Sequence, residues 1–330
     1  MKNFLGNIKY DVNLDNKKYL HFYMASIIVM YHVGGLTDIY TSTIDHFLTN
    51  ILIFGFEILA NIAMIYYFFI SGFLLFNNLS YNNYFTKIKR RFFSLLFPFL
   101  IWNFFVHLLK VLVGKSNVFD FVYIFDMRHY PPNGPLWYMY CIFLLALMSP
   151  LFIKIIKKHS LILILFSSFI CNYFLQNFSF SDGYLINLLH FFPIWLLGGA
   201  ISKNTFNLTN ILILIFLSAF SFSGSIQNYF IFLFEILIVL YLITKKYNIF
   251  SFLENNYKYS FLMYLIHGPL IEVFGKFVKK ITYFFFRSEL LTVLASKMIF
   301  LLLCIILCKL FYFIFKRNNK IINFVTCNRG

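Results

Sequence analysis

Residues 48–76 read LTNILIFGFEILANIAMIYYFFISGFLLF, an apolar run that contains a single charged side chain, Glu57. A helix needs about 20 such residues to cross the hydrocarbon core of a bilayer. The run is longer than one straight span requires, so it is either tilted or begins as an interfacial helix. This stretch therefore predicts a transmembrane helix and places the chain in the membrane.

The composition of the whole chain supports the same class. Of the 330 residues, 61% are hydrophobic and only 12% are charged, whereas an ordinary soluble domain has about 25% charged residues. So few charges cannot cover a soluble fold of this size, which excludes a cytosolic globular enzyme. The counts of Gly (14), Pro (7) and Cys (5) exclude collagen, a disordered chain and a disulfide scaffold. The remaining class is an all-α polytopic membrane protein.

Apolar runs of spanning length recur along the chain and predict about ten transmembrane helices. They form a single membrane domain, residues 1–330, with short polar tails at 1–18 and 316–330. The predicted spans are 19–37, 48–76, 92–113, 135–153, 160–177, 184–201, 209–224, 227–244, 258–275 and 291–315. The seventh and eighth spans are separated only by a short polar stretch at 221–225.

The distribution of basic residues predicts the orientation. If the N-terminus is cytoplasmic, 19 of the 28 Lys and Arg residues fall in cytoplasmic segments and six fall in the opposite loops. This asymmetry predicts that both termini are cytoplasmic and that the number of spans is even. It also accounts for the net charge of +16 without a nucleic-acid partner. The basic loop 276–290 is the exception, and it is interpreted as an amphipathic segment that faces anionic headgroups or an anionic acceptor.

The first span carries two histidines, His21 and His32. They are eleven residues apart, about 20° past three helical turns, so they share one helix face. An ionisable residue in a span costs about 2.5–3.5 kcal/mol and usually faces the interior of the bundle. Two interpretations stay open: a line of proton-handling groups, or one interfacial histidine and one core histidine with its hydrogen bonds satisfied.

Three further sets of polar residues lie in or beside the spans. His267 precedes Gly268-Pro269 near mid-span, which predicts a broken helix that lines a cavity. Lys87, Lys89, Arg90 and Arg91 precede the third span; they either set the topology or hold the phosphates of an anionic cofactor. The third set contains the candidates for buried carboxylates, which are Glu57, Glu235 and Glu272.

No metal site is predicted. Asp126 and His129 are one turn apart, but no further ligand supports them. The cysteines also lack metal-ligand spacing, and Cys304 and Cys308 share a helix face as core residues.

Six motifs, in order along the chain, resemble acyltransferase family 3, the ten-span membrane acyltransferases that O-acetylate bacterial surface sugars. The motifs are KKYLHFYMASIIVMYH (17–32), FFISGFLL (68–75), KRRFFSLLFPFLIW (89–102), GPLWYMYCIFLLALMSP (134–150), FPIWLLGG (192–199) and YSFLMYLIHGP (259–269). His32 matches the histidine that ends the first span in the family. Two positions depart from the family pattern: His21 stands where the family has Arg, and Ser94 stands where it commonly has a second Arg after Arg91.

The resemblance implies an O-acyltransferase of the bacterial inner membrane. It implies transfer of an acetyl group from cytosolic acetyl-CoA to a hydroxyl of an envelope glycan, which is O-antigen, capsule or a lipid-linked sugar. His32 is then the general base or a transient acyl carrier. His267 and Tyr264 border the same cavity, as an orienting pair or an oxyanion donor.

The resemblance also implies how the substrates are bound. His21, Lys18, Lys87, Arg90 and Arg91 are expected to hold the acyl donor. Lys18 lies one turn before His21 and supplies a charge that a mostly neutral imidazole lacks. The residues expected to line the path of the acceptor sugar are Trp137, Tyr138 and Tyr264.

The main rival function is a glycan or lipid-linked sugar transporter or flippase, which needs similar spans and no acyl-CoA. An O-antigen polymerase is disfavoured because the longest predicted outer loop, 114–134, is short. A non-catalytic sensor related to the acyltransferases also stays open, because of His21 and Ser94.

Overall fold

The computed structural model describes residues 17–33, 43–177, 183–203, 212–213, 215–216, 226–244 and 256–315. Every regular element within these ranges is helical, which confirms the predicted all-α class. The α-helices are α1 (Lys17–His32), α2 (Thr43–Asn77), α3 (Tyr84–Arg91), α4 (Phe97–Leu112), α5 (Trp137–Asn177), α6 (Tyr184–Lys203), α7 (Ile226–Thr244), α8 (Ser260–Phe286) and α9 (Glu289–Ile314). A π-helical segment, Phe92–Leu96, joins α3 to α4. Short 3-10 turns lie at Tyr81–Asn83, Val118–Phe125, Gly134–Leu136 and Tyr257–Tyr259.

Six helical stretches in the described ranges are long and apolar enough to cross a bilayer. They are Asp45–Asn77, Tyr81–Leu112, Gly134–Asn177, Tyr184–Lys203, Tyr257–Phe286 and Glu289–Ile314. Two shorter apolar helices, Leu20–His32 and Asn228–Thr244, accompany them. These helices expose large apolar side chains such as Phe234, Val273 and Phe313, a surface that lipid covers and water does not. The protein is a multi-pass membrane protein; the count of ten spans and the side of the termini stay predictions.

The structure bears on two of the predicted boundaries and leaves a third largely undescribed. The spans 135–153 and 160–177 both lie in α5, which comprises two helices joined at a kink at His159, where the dihedrals are non-helical (φ −136°, ψ 41°); this agrees with the prediction of two separate spans. The loop predicted at 276–290 is wrong, because α8 continues to Phe286 and α9 begins at Glu289. Arg287, at φ 53°, makes the tight turn between them. The seventh predicted span, 209–224, lies mostly outside the described residues.

Helix α8 continues through Gly268-Pro269, so the predicted break at His267 is also wrong. A proline removes only its own N–H bond to the carbonyl four residues earlier, and packing against neighbouring helices keeps a membrane helix intact across it. Of the three predicted buried carboxylates, Glu235 is buried, whereas Glu57 and Glu272 lie on exposed helix faces. Cys304 and Cys308 are both fully buried, as predicted.

The chain divides into two compact units, and the division falls within α2. One unit, here called the central unit, contains residues 64–246. The other, called the terminal unit, contains residues 15–63 and 247–330. Each unit has its own helix packing.

Glycines bring α2 and α6 into close contact in the central unit. A Cβ added at Gly72 would overlap the carbonyl oxygen of Trp195, and one added at Gly198 would overlap that of Phe69. Gly199 faces the ring of Phe76 in the same way. Small residues at such a crossing let two backbones pack closely in a membrane, where no hydrophobic force drives helices together. Gly72 and Gly198 therefore permit the close approach of the two helices.

Three polar residues on one face of α4 fasten the segment that follows it. Asn103 accepts a hydrogen bond from the backbone N–H of Asn133 at 2.7 Å. His107 Nε2 lies 3.2 Å from the carbonyl oxygen of Val118, and Lys110 donates to the carbonyl of Pro132 at 2.8 Å. His107 and Lys110 both lie in the predicted span 92–113, and both have hydrogen-bond partners within the protein.

In the terminal unit, α1 packs against α8 and α9, which form a hairpin. Asp45, at the start of α2, caps the N-terminus of α9. It accepts hydrogen bonds from the backbone N–H of Glu289 (2.6 Å), that of Leu290 (3.3 Å) and the hydroxyl of Ser288 (3.1 Å). A carboxylate at this end of a helix compensates the unpaired N–H groups and the positive end of the dipole.

The glycine crossing predicts a stability effect. We expect Gly72→Ala and Gly198→Ala each to destabilise the protein by roughly 1–3 kcal/mol, the usual cost of overpacking, because the added methyl meets backbone atoms that cannot rotate away. Thermal unfolding of the purified protein in detergent measures this. Gly55→Ala is the matched control on α2, since nothing lies within 4 Å of a Cβ at Gly55. Equal melting temperatures for all three variants would contradict the prediction.

Candidate functional site

Both histidines of α1 face the segment that contains α8. The ring centroid of His32 lies 5.3 Å from that of His267, and the ring of His21 lies 5.9 Å from that of Tyr257. His21 and His32 are both half-buried. Their partners, His267 and Tyr257, lie ten residues apart on one continuous stretch of chain. Both histidines therefore face the same neighbouring segment, which confirms the prediction that they share one helix face. Tyr257 has no counterpart in the sequence analysis.

His267 is completely buried, and its hydrogen bonding defines its tautomer. Its Nδ1 lies 3.2 Å from the carbonyl oxygen of Met263. A carbonyl oxygen only accepts hydrogen bonds, so Nδ1 carries the proton and Nε2 of the neutral ring has a lone pair. No group of the described residues bonds to that Nε2. The ring of Tyr264 lies 5.7 Å away. The neutral His267 is therefore a hydrogen-bond acceptor toward its surroundings, and it becomes a donor at Nε2 only when protonated.

Lys297, in α9, lies beside this pair of histidines and is buried within the protein. Its ammonium donates to the carbonyl oxygens of Met30 and Val33, both at 2.7 Å, and lies 4.5 Å from the centre of the Phe56 ring. These contacts offset the insertion cost of about 2.5–3.5 kcal/mol for a lysine in a span. The predicted span 291–315 includes this lysine, but no role was predicted for it. Its position in a predicted span could have indicated a role, because an ionisable residue inside the membrane usually faces the interior of the bundle and has partners there.

The basic residues around α3 lie in the central unit, and some of them bind the C-terminal end of α2. Arg91 donates to the hydroxyl oxygen of Ser71 at 3.1 Å, and Lys87 donates to the carbonyl of Leu75 at 3.2 Å. Lys203 donates to the carbonyls of Asn77 and Leu79, each at 3.3 Å. Cations stabilise this end of a helix because its unpaired carbonyls carry partial negative charge. Lys203 was missed because its position near Lys87 depends on the packing of α6.

Lys89 and Arg90 are exposed. The basic cluster thus has two parts: side chains bonded to backbone or to Ser71, and side chains open to an anionic ligand. The π-helical segment Phe92–Leu96 follows directly after Arg91 and contains Ser94. Such segments are frequent at functional sites.

The aromatic residues expected to line the acceptor path pack within the central unit. Trp137 is buried, with its ring stacked 6.2 Å from that of Phe68. The hydroxyl of Tyr138 donates to the carbonyl of Tyr67 at 3.1 Å. Each side chain therefore has a structural role, and a role in sugar binding stays a prediction for both. The side chain of Lys18 lies outside the described residues.

Asp126 and His129 belong to a small exposed cluster built around Arg128. The guanidinium of Arg128 bonds both carboxylate oxygens of Asp126 at 3.0 Å. These bonds hold the pKa of the Asp126 carboxyl well below its usual range. The ring of His129 lies 3.3 Å from the same carboxylate. Across the described ranges, no group of three His, Cys, Asp or Glu side chains could hold a metal ion.

Comparison with known proteins identifies a family. A family model described as an acyltransferase domain matches residues 24–312, nearly the whole chain. No curated protein and no solved structure matches the chain. The match includes both His32 and His267 and confirms the resemblance found in the sequence. The chain therefore belongs to acyltransferase family 3 and is a membrane acyltransferase.

Proposed function

We propose that the protein transfers an acetyl group from acetyl-CoA to a hydroxyl of a bacterial envelope glycan or its lipid-linked precursor. The observation that carries the proposal is the close pairing of His32 with His267, whose only unbonded nitrogen is a buried acceptor. The acetyl group, the CoA donor and the glycan acceptor come from the resemblance to the family. What the residues of this chain contribute is a base, its orienting partner and a set of cations.

The proposed base is His32. A sugar hydroxyl is a weak nucleophile near neutral pH, and an imidazole is suited to take its proton. The centroid distance of 5.3 Å permits a hydrogen bond between the two imidazoles. We propose that the two rings come into hydrogen-bond contact when substrate binds, so that the Nε2 lone pair of His267 accepts the N–H of His32. The second ring nitrogen of His32 then carries a lone pair and is oriented to act as a base. This favours the orienting role for His267 over that of an oxyanion donor.

When His32 acts as a base, the acyl group passes directly from the donor to the acceptor. The acceptor oxygen attacks the thioester carbonyl carbon, a C–O bond forms, and the C–S bond breaks. The hydroxyl proton passes to His32, which then returns it to the departing sulfur. When His32 instead carries the acyl group, its nitrogen attacks the thioester carbonyl carbon, a C–N bond forms, the C–S bond breaks, and the thiol leaves with the proton of the second ring nitrogen. The acceptor oxygen then attacks the acyl carbon, the C–N bond breaks, and the hydroxyl proton passes to His32. Protein incubated with labelled donor alone and quenched rapidly without acid distinguishes the two routes, since only the second leaves label on His32.

The donor phosphates are proposed to bind the exposed part of the basic cluster. Arg90 is exposed, while Arg91 and Lys87 are half-buried and hold the end of α2. An arginine offers a planar fork of donors that suits phosphate oxygens. Arg90 is therefore proposed as the primary phosphate contact, and Arg91 and Lys87 add charge while fixing the local backbone. His21, on the same face of α1 as His32, is proposed to orient the donor.

The histidine pair leads to a first prediction on activity. Membranes with the wild-type protein incorporate labelled acetyl from acetyl-CoA into envelope glycan. We expect His32→Ala to lower the rate by at least about 100-fold and His267→Leu by roughly 10- to 100-fold, in line with general acid–base contributions. His159→Ala, an exposed histidine in α5, serves as the control and keeps the wild-type rate.

Two results would contradict this proposal. One is full activity in His32→Ala. The other is a wild type that transfers no label to any of several glycan acceptors, together with unchanged envelope acetylation when the gene is deleted. The second result would favour the transporter interpretation.

The basic cluster leads to a separate prediction on donor binding. We expect Arg90→Ala to raise the KM for acetyl-CoA roughly tenfold with little change in kcat, because one charge-assisted bond to phosphate is lost. The KM for S-acetylpantetheine, which lacks phosphates, stays unchanged in this variant. Arg91→Ala also lowers the melting temperature, since its bond to Ser71 is lost. Lys115→Ala removes an exposed charge elsewhere in the unit and is the control. An equal rise in KM for both donors would refute phosphate contact by Arg90.

A further inference from the structure

We infer that Lys297 is a positioning residue for His32: its ammonium ties the end of α1 to α9 and thereby sets where the His32 ring stands against His267. The inference rests on the proposed function, since it assumes that His32 does chemistry. It adds a residue from a third helix that neither the motifs nor the family match assigns.

The two hydrogen bonds of Lys297 bracket His32 in the chain. Met30, whose carbonyl accepts one bond, lies two residues before His32, and Val33, whose carbonyl accepts the other, lies one residue after it. The last carbonyls of a helix have no partner within the helix, and this end of α1 is buried at Val33, where water cannot supply one. A single cation that takes two of them fixes the backbone on both sides of the histidine.

The position of the ammonium is itself well defined. The Lys297 side chain is almost completely buried, its helix α9 packs against α1 and α8, and the ring of Phe56 covers the ammonium at 4.5 Å. A cation held by an aromatic face and two carbonyls has little freedom to move. The Lys297 ammonium, which holds the end of α1, is therefore itself held rigidly by the packing of α9 and by the Phe56 ring.

The proposed chemistry requires that the His32 ring be placed accurately. A general base must lie within hydrogen-bond reach of the proton it takes, and a shift of about 1 Å costs up to about 100-fold in rate. Because α1 ends at His32, its final turn would fray without an external partner. A cation that merely neutralised the end of the helix would affect stability, whereas a positioning residue affects the chemical step.

The test compares Lys297→Met, Lys297→Arg and the control Lys309→Met in lipid nanodiscs. Lys309 lies on the same helix α9 and is exposed. We expect Lys297→Met to lower kcat roughly 10- to 100-fold per folded molecule, with the KM for acetyl-CoA within about twofold of wild type. Lys297→Arg restores most of kcat, because a guanidinium also donates to two carbonyls. Lys309→Met has wild-type kinetics.

Hydrogen exchange provides a readout that does not depend on activity. Lys297→Met should exchange faster than wild type in a peptide covering residues 27–33, and Lys309→Met should not. If the wild type transfers no acetyl group, the proposed function fails, while the exchange data still decide whether Lys297 anchors α1. Unchanged exchange in Lys297→Met overturns the anchoring. Unchanged kcat in that variant, or equal losses in the Met and Arg variants, overturns the positioning role.

If Lys297→Met does not fold, Phe56→Leu decides the question. This variant removes the ring that holds the ammonium in place, so the donor to both carbonyls gains freedom to move. A lowered kcat with unchanged KM for acetyl-CoA supports the inference, and wild-type kcat overturns it.

Discussion

The structure depends on the scarcity of water in the hydrocarbon core, which obliges each polar group there to find its partner within the protein. Lys297 meets this constraint with two backbone carbonyls and an aromatic ring. Asn103, His107 and Lys110 meet it with backbone groups of the segment that follows α4. Several buried polar side-chain atoms of the described residues depart from this constraint, and one of them lies in the proposed site. The Nε2 atom of His267 is buried without a partner among the described residues, and a buried polar atom left open in this way is suited to a transient one.

The proposed chemistry and the proposed donor contacts come from different parts of the chain. The histidines and Lys297 lie in the terminal unit, on α1, α8 and α9, which are brought together from the two ends of the sequence. The cations around α3 lie in the central unit. Helix α2 belongs to both, since the division falls within it. Its N-terminal half supplies Asp45 and Phe56 to the terminal unit, and its C-terminal half supplies Ser71 and Gly72 to the central unit.

Many basic residues of this chain have more than one role. A cytoplasmic excess of Lys and Arg sets topology, and the sequence leaves no way to separate that role from ligand binding. The hydrogen bonds separate them in part. Lys87, Arg91 and Lys203 each bind the end of α2, which is a structural role, whereas Arg90 is left exposed. The net charge alone therefore overstates how many cations are available to an anionic donor.

The sequence by itself determined the class, the helical content and the family, because composition, apolar run length and motif order are local properties. The 3.6-residue period also placed His21 and His32 on one face, since eleven residues close three turns. Sequence patterns within one segment gave wrong predictions where packing against other helices decides the structure. Helix α8 passes through Gly268-Pro269, and the expected loop at 276–290 is mostly helix. Only the tertiary structure brought His32 to His267 and the carbonyls of Met30 and Val33 to Lys297. These partners are more than 230 residues apart in the chain, and no periodicity within one helix encodes which side chain of another helix will face it.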